Sequence, residues 1–453
     1  MKTAEQPSNY VLKVSREYAL YICRQRAIPN VTDGLKHVQR IALWILKDRA
    51  EKIKTVALSG LCAYRKFYVH GDTSCNAAIG LLAAPYCNNV PLIEGHGAFG
   101  SRIAPVEGIG SARYTSVSRS KAAQAFLYAD LDLVPTEDNY DLSDQQPVHF
   151  LPLIPTVLLN GISGIAVGWS TNILPHNLKD IIVATKNALA DKPIDPLFPH
   201  YERYDLTIKR LASGQWELTG KVKILDSSTL EIHELPPGLN IETFRKRLIA
   251  LEETDQIVSY TDRSTDAIAI TIKMKRGSIA DWTADQAIEF FKLRERVTER
   301  LVVVGWDGES IQTYESPEIL IKDFVAWRLS WYTTRFEKLH NDSSYELNYW
   351  LALEALFAAN FPAQLGKFAN RRELQDRVMV IVTKANVKLD DRQLDRIVNL
   401  PTYRWTIEFI DEIKKFVKNL QNAIIDYQAI LQSPTRLRKV YADELDDLTR
   451  IKI

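Results

Sequence analysis

Arg26-Ala27-Ile28-Pro29-Asn30-Val31-Thr32-Asp33-Gly34-Leu35-Lys36-His37-Val38-Gln39-Arg40 is the stretch on which the reading of this chain turns. Ahead of it Tyr18, Leu20 and Ile22 recur at helical spacing, and after it Val38, Ile41, Leu43, Ile45 and Leu46 do the same. Between the two runs, Pro29, Asn30, Asp33 and Gly34 are turn residues. The pattern predicts helix, ordered turn, helix. A third helix is expected over about 52–61 and a fourth over 74–84, where Asp72 or Thr73 can cap the run that follows His70-Gly71. The glycine-rich run 94–102 and the segment 112–115 read as strands and a wing, which makes residues 1–150 a winged helix.

Further along, residues 133–150 are acidic and polar and read as a linker, and an apolar, glycine-punctuated strand-and-turn region follows over 150–171. Alternating stretches at 206–209, 216–224, 229–235 and 267–275 predict strands, with helical runs at 241–251 and 285–294, so that 151–313 forms an α+β domain. Leu320, Phe324, Trp327, Trp331 and Thr334 make one long helical stripe over 318–339. Phe409, Ile413, Phe416, Leu420, Ile424 and Tyr427 make a second over 406–431. Each helix would run ~35–40 Å at 1.5 Å per residue. With short helices over about 345–403 between them, residues 314–453 are expected to form a long antiparallel coiled coil with a helical knob at its tip. The fold class is therefore multidomain α+β.

The chain has 453 residues, 46% apolar and 25% charged, with 19 Gly and 19 Pro, which excludes collagen-like and low-complexity chains. No apolar run approaches the ~18–20 residues of a membrane span, and the N-terminus lacks the apolar core of a signal peptide, so a cytoplasmic location and no membrane partner are expected. Cys23, Cys62, Cys75 and Cys87 show no C-x-x-C spacing and read as reduced thiols in packed helices. Charge is uneven along the chain. Residues 1–120 carry 16 Lys/Arg against 8 Asp/Glu, whereas 121–180 carry 2 against 7. A polyanion such as nucleic acid would be met by the first quarter, and a plain solvated basic face is the alternative from charge alone.

The stretch 26–40 resembles the signature near the start of the breakage-reunion region of type IIA DNA topoisomerases, the family of gyrase A subunits, eukaryotic topoisomerase II and the T-even phage medium subunits. The likeness continues in order through Tyr68-Val69-His70-Gly71-Asp72, Gly95-His96-Gly97-Ala98-Phe99-Gly100-Ser101-Arg102, Ala112-Arg113-Tyr114, and Leu153–Gly161 with Gly164-Ile165-Ala166-Val167-Gly168-Trp169. It extends more weakly through Glu234-Leu235-Pro236-Pro237 and the coiled coil. Departures are His37, where the family often has proline, Ile41, where gyrase-type members have a basic residue, and Tyr68 or Val69 in place of histidine. The resemblance implies that 151–313 is an α/β tower domain and that the coiled coil carries a helical C-gate dimer domain.

Tyr114 is one of 19 tyrosines, and Arg113 lies beside it. A free phenol, with pKa ~10, is a poor nucleophile at neutral pH and needs neighbouring positive charge or a base. The resemblance implies that Tyr114 attacks a DNA phosphodiester to give a 5′-phosphotyrosine, that Arg113 stabilises the phosphoryl transition state, and that His70 lies near the scissile phosphate. Arg26, Lys36, Arg40 and Arg102 are the expected DNA-binding residues, as contacts to phosphate oxygens. Ile165, on a small-residue turn, is the expected wedge between base steps. Glu94 followed by Asp130-Leu131-Asp132 is superficially similar to the Glu…Asp-x-Asp metal cluster of the Toprim fold, but the spacing is too short for that fold, and no G-x-x-x-x-G-K-[ST] loop is present.

The resemblance therefore implies the cleavage-reunion subunit of an ATP-dependent type II topoisomerase, acting on double-stranded DNA as a homodimer. A separate ATPase/Toprim large subunit would supply both Mg²⁺ and ATP. The end of the sequence at Ile453, without a further wrapping domain, points to relaxation and decatenation and to the phage medium-subunit branch. A non-enzymatic winged-helix architectural DNA-binding dimer is the alternative.

Overall fold

The computed structural model describes residues 7–105 and 109–451. By internal contacts the chain forms two compact units, Met1–Arg328 with Glu444–Ile453, and Leu329–Asp443. Among the described residues no helix is long and apolar enough to cross a membrane.

The first unit begins with helix α1 (Pro7–Ile22), which runs into a π-helical turn (Cys23–Ala27) closed by the Ile28 N–H on the Cys23 carbonyl at 3.0 Å. Helix α2 (His37–Leu46) follows the turn, and the Gln39 side chain accepts from the Lys36 N–H at its start. The turn is built by its own side chains. Asn30 Oδ1 accepts from the Thr32 N–H and hydroxyl, and Gly34 takes φ +67°, where a Cβ would collide with the backbone of Val157. Strand β1 (Ile53–Lys54) then precedes α3 (Thr55–Tyr64), and α4 (Asp72–Ala83) starts after Gly71, with the Asp72 carboxylate accepting from the Thr73 N–H at 2.9 Å in its first turn.

Strands β2 (Ile93–His96) and β3 (Ser116–Arg119) complete an antiparallel sheet in the order β1-β3-β2. Residues 112–114 form a turn ahead of β3 rather than the strand expected there. The expected linker is a hairpin, β4 (Thr136–Asp138) with β5 (Gln145–Pro147). It is tied down by Asp144 on Arg65 at 2.6 Å and by buried Asn139 donating to the Arg65 carbonyl. Cys23, Cys62 and Cys75 are buried in helical segments, but Cys87 lies exposed in a turn.

A second hairpin, β6 (Ile162–Ile165) with β7 (Ser170–Ile173), precedes α5 (Leu178–Leu189). Strands β8 (Thr207–Ala212) and β9 (Gln215–Thr219) pair with each other. Strands β10 (Lys221–Ile224) and β11 (Thr229–Glu234), helix α6 (Ile241–Glu253), and strands β12 (Ser259–Asp262) and β13 (Ile270–Lys273) give a four-stranded sheet, β10-β11-β13-β12. Its inward residues alternate, Leu230 and Ile232 on β11 and Ile270 and Ile272 on β13, as a half-buried pleat requires. Phe244 and Leu248 of α6 and Phe291 of α7 (Ala284–Phe291) cover them. Strand β14 (Arg294–Thr298) joins β9, and β15 (Leu301–Val304) pairs with β16 (Ile311–Tyr314). Val304 also exchanges backbone hydrogen bonds with Pro29 and Val31, which seats the 28–34 turn on β15.

Helix α8 (Pro317–Ala358) is 42 residues long, about 63 Å, and continues through the start of the expected knob because no glycine or proline interrupts it before Asn360 turns left-handed at φ +50°. In the second unit, Tyr349, Ala352, Leu353 and Leu356 form its buried stripe. They pack on α9 (Arg371–Lys384), α10 (Asp391–Val398) and α11 (Ile407–Leu431) through Val378, Val382, Ile397, Phe409 and Ile413. Ring contacts Phe336–Tyr427, Trp350–Phe416 and Phe357–Phe409 step up α8 and down α11, so the two helices run antiparallel. A final helix, α12 (Pro434–Arg450), was not expected from the sequence. The fold is thus a mixed helix-and-strand architecture.

Candidate functional site

Tyr114 stands on the 112–114 turn with 75% of its surface exposed, and the Arg113 guanidinium carbon lies 5.9 Å from its ring centroid. The turn is held from beneath by α3. The first N–H groups of a helix lack intrahelical partners. Here the Thr55 N–H takes the Thr115 carbonyl and the Val56 N–H takes the Ala112 carbonyl, both at 3.1 Å. Buried Thr115 and Thr55 also join through their hydroxyls at 2.8 Å. Since β3 begins at Ser116, Tyr114 is an exposed phenol on a rigid base.

His70 lies between α3 and α4 and meets two side chains from the first helix and its π turn. Arg26 Nη2 is 2.8 Å from Nδ1 and 3.2 Å from Nε2, so the guanidinium lies across the ring rather than in line with one nitrogen. The Tyr21 hydroxyl is 3.1 Å from Nε2, and the Tyr68 ring stands edge-on at 5.2 Å. Burial and the Arg26 charge both push the His70 pKa below its ordinary value.

Lys36 and Ile165 share a second cluster. Lys36 Nζ donates to the Ser163 carbonyl at 2.8 Å, and burial lowers its pKa. The β6–β7 hairpin lies so close to the π turn that a Cβ on Gly164 would collide with the Ala27 carbonyl. The hairpin turn is closed by the Ala166 N–H on the Trp169 carbonyl, with Gly168 at φ +77°. Ile165 is 88% exposed, with Val167 and Trp169 exposed beside it. Single exposed apolar residues are ordinary, but three on one hairpin make a patch.

Two of the expected phosphate contacts are spent inside the fold. Arg40 is buried, donating Nε to Asp33 Oδ2 at 2.7 Å and Nη2 to Asp33 Oδ1 and the Leu35 carbonyl at 3.0 Å. Arg102 pairs with buried Glu234, donates to the Arg203 carbonyl at 2.9 Å and stacks on Tyr204 at 3.9 Å. In both cases a buried carboxylate holds the guanidinium in place. Both arginines serve as anchors within the fold. The structure brings together Arg26 with His70, and Lys36 with the hairpin of Ile165. Among the described residues no hydrogen bond or ion pair joins the Arg113–Tyr114 turn to Arg26 or His70. Tyr21 was not singled out by the sequence reading.

Among the described residues no three His, Cys, Asp or Glu side chains converge as a metal holder would require. Asp130, one of the acidic residues set aside above, is buried against Arg328.

Residues 26–446 match the family of the DNA gyrase and topoisomerase IV A subunits. The chain is 28% identical to the DNA topoisomerase medium subunit of Enterobacteria phage T4 over 415 residues, covering 88% of this chain and 89% of that one. It is 31% identical to DNA topoisomerase 2-alpha of Gallus gallus over 332 residues, covering 70% of this chain but only 21% of that much longer protein. In fold it resembles the DNA-binding, cleavage and re-ligation domain of Plasmodium falciparum topoisomerase II, with a TM-score of 0.81 over 97% of this chain and 63% of that one, at 23% identity.

Proposed function

Because this chain belongs to the family of DNA gyrase and topoisomerase IV A subunits, we propose that it is the DNA cleavage-reunion subunit of an ATP-dependent type II topoisomerase. The observation that carries the proposal is Tyr114, an exposed phenol beside Arg113 on a turn braced by α3. In the forward step the Tyr114 oxygen forms a bond to phosphorus, its proton passes to solvent or a base, and the 3′-oxygen of the broken strand leaves as a hydroxyl. The product is a 5′-phosphotyrosine. The reverse step returns the 3′-hydroxyl to phosphorus and releases the phenol, so the bond energy is conserved and the strand is resealed. Arg113 supplies positive charge where phosphoryl charge develops.

Arg26 and His70 would meet the phosphate backbone, and Lys36 would do so beside the wedge. Ile165 would enter between base steps of a bent duplex. Residues 1–150 then act as the winged-helix module, 151–313 as the tower, and 314–453 as coiled coil and C-gate, the part through which two copies of this chain would join. A homodimer carries two tyrosines and so cuts both strands. We assign Mg²⁺ and ATP to a separate Toprim/ATPase subunit in the cytoplasm of the cell. The two relatives reported above are topoisomerases by name.

The test is relaxation of a supercoiled circle by this chain with the Toprim/ATPase subunit, Mg²⁺ and ATP. Passage of duplex through duplex changes linking number only in even steps. A ladder of single steps, or none with an active partner, contradicts the proposal.

A further inference from the structure

The π-helical turn between α1 and α2 has a consequence for His70. Tyr21 and Arg26 lie five positions apart. In a regular α-helix, at 3.6 residues per turn, such a pair points to different faces. The wider turn closed by Ile28 N–H on Cys23 O brings both side chains round to one imidazole. π-Bulges of this kind are found mostly at functional positions. Tyr21 is also fixed from its other side, since its ring stacks on Tyr18 at 6.3 Å and 20°. His70 is thereby gripped on three sides, by Tyr21 at Nε2, by Arg26 across the ring and by the Tyr68 edge.

We propose that Tyr21 is a positioning residue of the cleavage site: its hydroxyl, carried to Nε2 by the π turn, sets the orientation of His70. This rests on the reading of the chain as a cleavage subunit. The physical basis is general. A neutral imidazole has one donor and one acceptor nitrogen, and the partner of one decides what the other presents. Arg26 lies across the ring and contacts both nitrogens, so it does not by itself fix the direction in which Nε2 points. The Tyr21 hydroxyl, bound at Nε2 alone and able to donate or accept, does so in either tautomer. Tyr21 need not touch DNA to act, since its effect passes through His70.

The experiment measures single-turnover formation of the covalent complex by the reconstituted assembly on end-labelled DNA for wild type, Tyr21→Phe, His70→Ala and the double variant. Tyr21→Phe keeps the ring and its stacking and loses only the hydroxyl. The cleavage rate should fall about fivefold, the worth of one ordinary hydrogen bond, with DNA affinity within about twofold of wild type. The double variant should cleave no more slowly than His70→Ala, because the two changes act on one group. Side-chain ¹⁵N shifts of His70 in the free protein should move between wild type and Tyr21→Phe. Wild-type cleavage by Tyr21→Phe, losses that multiply in the double variant, or unchanged His70 shifts would each overturn the assignment. If Tyr114→Phe still forms the covalent complex, or wild type forms none, the cleavage reading fails instead. The ¹⁵N comparison then still decides whether Tyr21 governs His70.

Discussion

The guanidinium of Arg40 closes on the carboxylate of Asp33 in the interior of the first unit, with Nε to Oδ2 at 2.7 Å and Nη2 to Oδ1 at 3.0 Å. Asp33 also accepts from the Leu35 and Phe150 N–H groups, and its carbonyl takes the Thr156 hydroxyl. One buried carboxylate thus ties the turn after α1 to α2 and to the segment 150–156. Removing Arg40 leaves a charge with no cation in a dry site, which costs about 3–5 kcal/mol. Chemical denaturation of Arg40→Ala should show a loss of that size. An unchanged stability with a smaller salt dependence of DNA binding would return Arg40 to the phosphate-contact role.

Ile165 behaves in the opposite way. Its side chain is almost wholly in solvent, so Ile165→Ala should alter folding stability by no more than about 0.5 kcal/mol. On DNA the loss should be plain. Energy transfer between dyes at the two ends of a short duplex should report a weaker bend with Ile165→Ala than with wild type, at similar occupancy. An equal bend would place the wedge elsewhere on the hairpin, on Val167 or Trp169.

These contrasts bear on what the sequence carried. The helix-turn-helix at the start, the alternating strands of the 206–275 region and the two long stripes were legible because each depends on neighbours within a few positions. The fates of Arg40 and Arg102 were not. A cation becomes a fold anchor only when a carboxylate comes to it, and Glu234 lies 132 positions from Arg102. Tyr21 escaped for a different reason. A 3.6-residue period places it and Arg26 on different faces, and the π turn that unites them leaves no mark in hydrophobic spacing. The 42-residue α8 was read too short because its polar middle, His340-Asn341-Asp342-Ser343-Ser344, lacks an apolar stripe yet contains no helix breaker.

Glu299 gives a prediction for pH. Burial raises its pKa from 4.5 to about 7, with the Glu318 charge adding to the rise and the Leu174 N–H opposing it. The native state holds this proton over a range where the unfolded chain has released it, so its contribution to stability falls as pH rises from 4.5 to about 7. The amount is about 3 kcal/mol at most, at ~1.4 kcal/mol per pKa unit. His37 and His176, buried and held down to about 4, act in reverse and lose stability as pH falls from 6.5. The comparison to make is therefore wild type against Glu299→Gln across pH 5–8. The variant should gain relative to wild type as pH rises, and a constant difference would contradict the buried, protonated carboxyl.

The central claim is that Tyr114 is the residue that takes the broken DNA strand. Purified chain, its Toprim/ATPase partner, Mg²⁺ and end-labelled nicked duplex are mixed and quenched with detergent, and label is sought on this chain, for wild type beside Tyr114→Phe. Tyr114 is exposed, so the phenylalanine variant should fold and bind DNA as wild type does. Labelled chain is expected in wild type and none in Tyr114→Phe. Label that survives in Tyr114→Phe would move the nucleophile to another residue and contradict it.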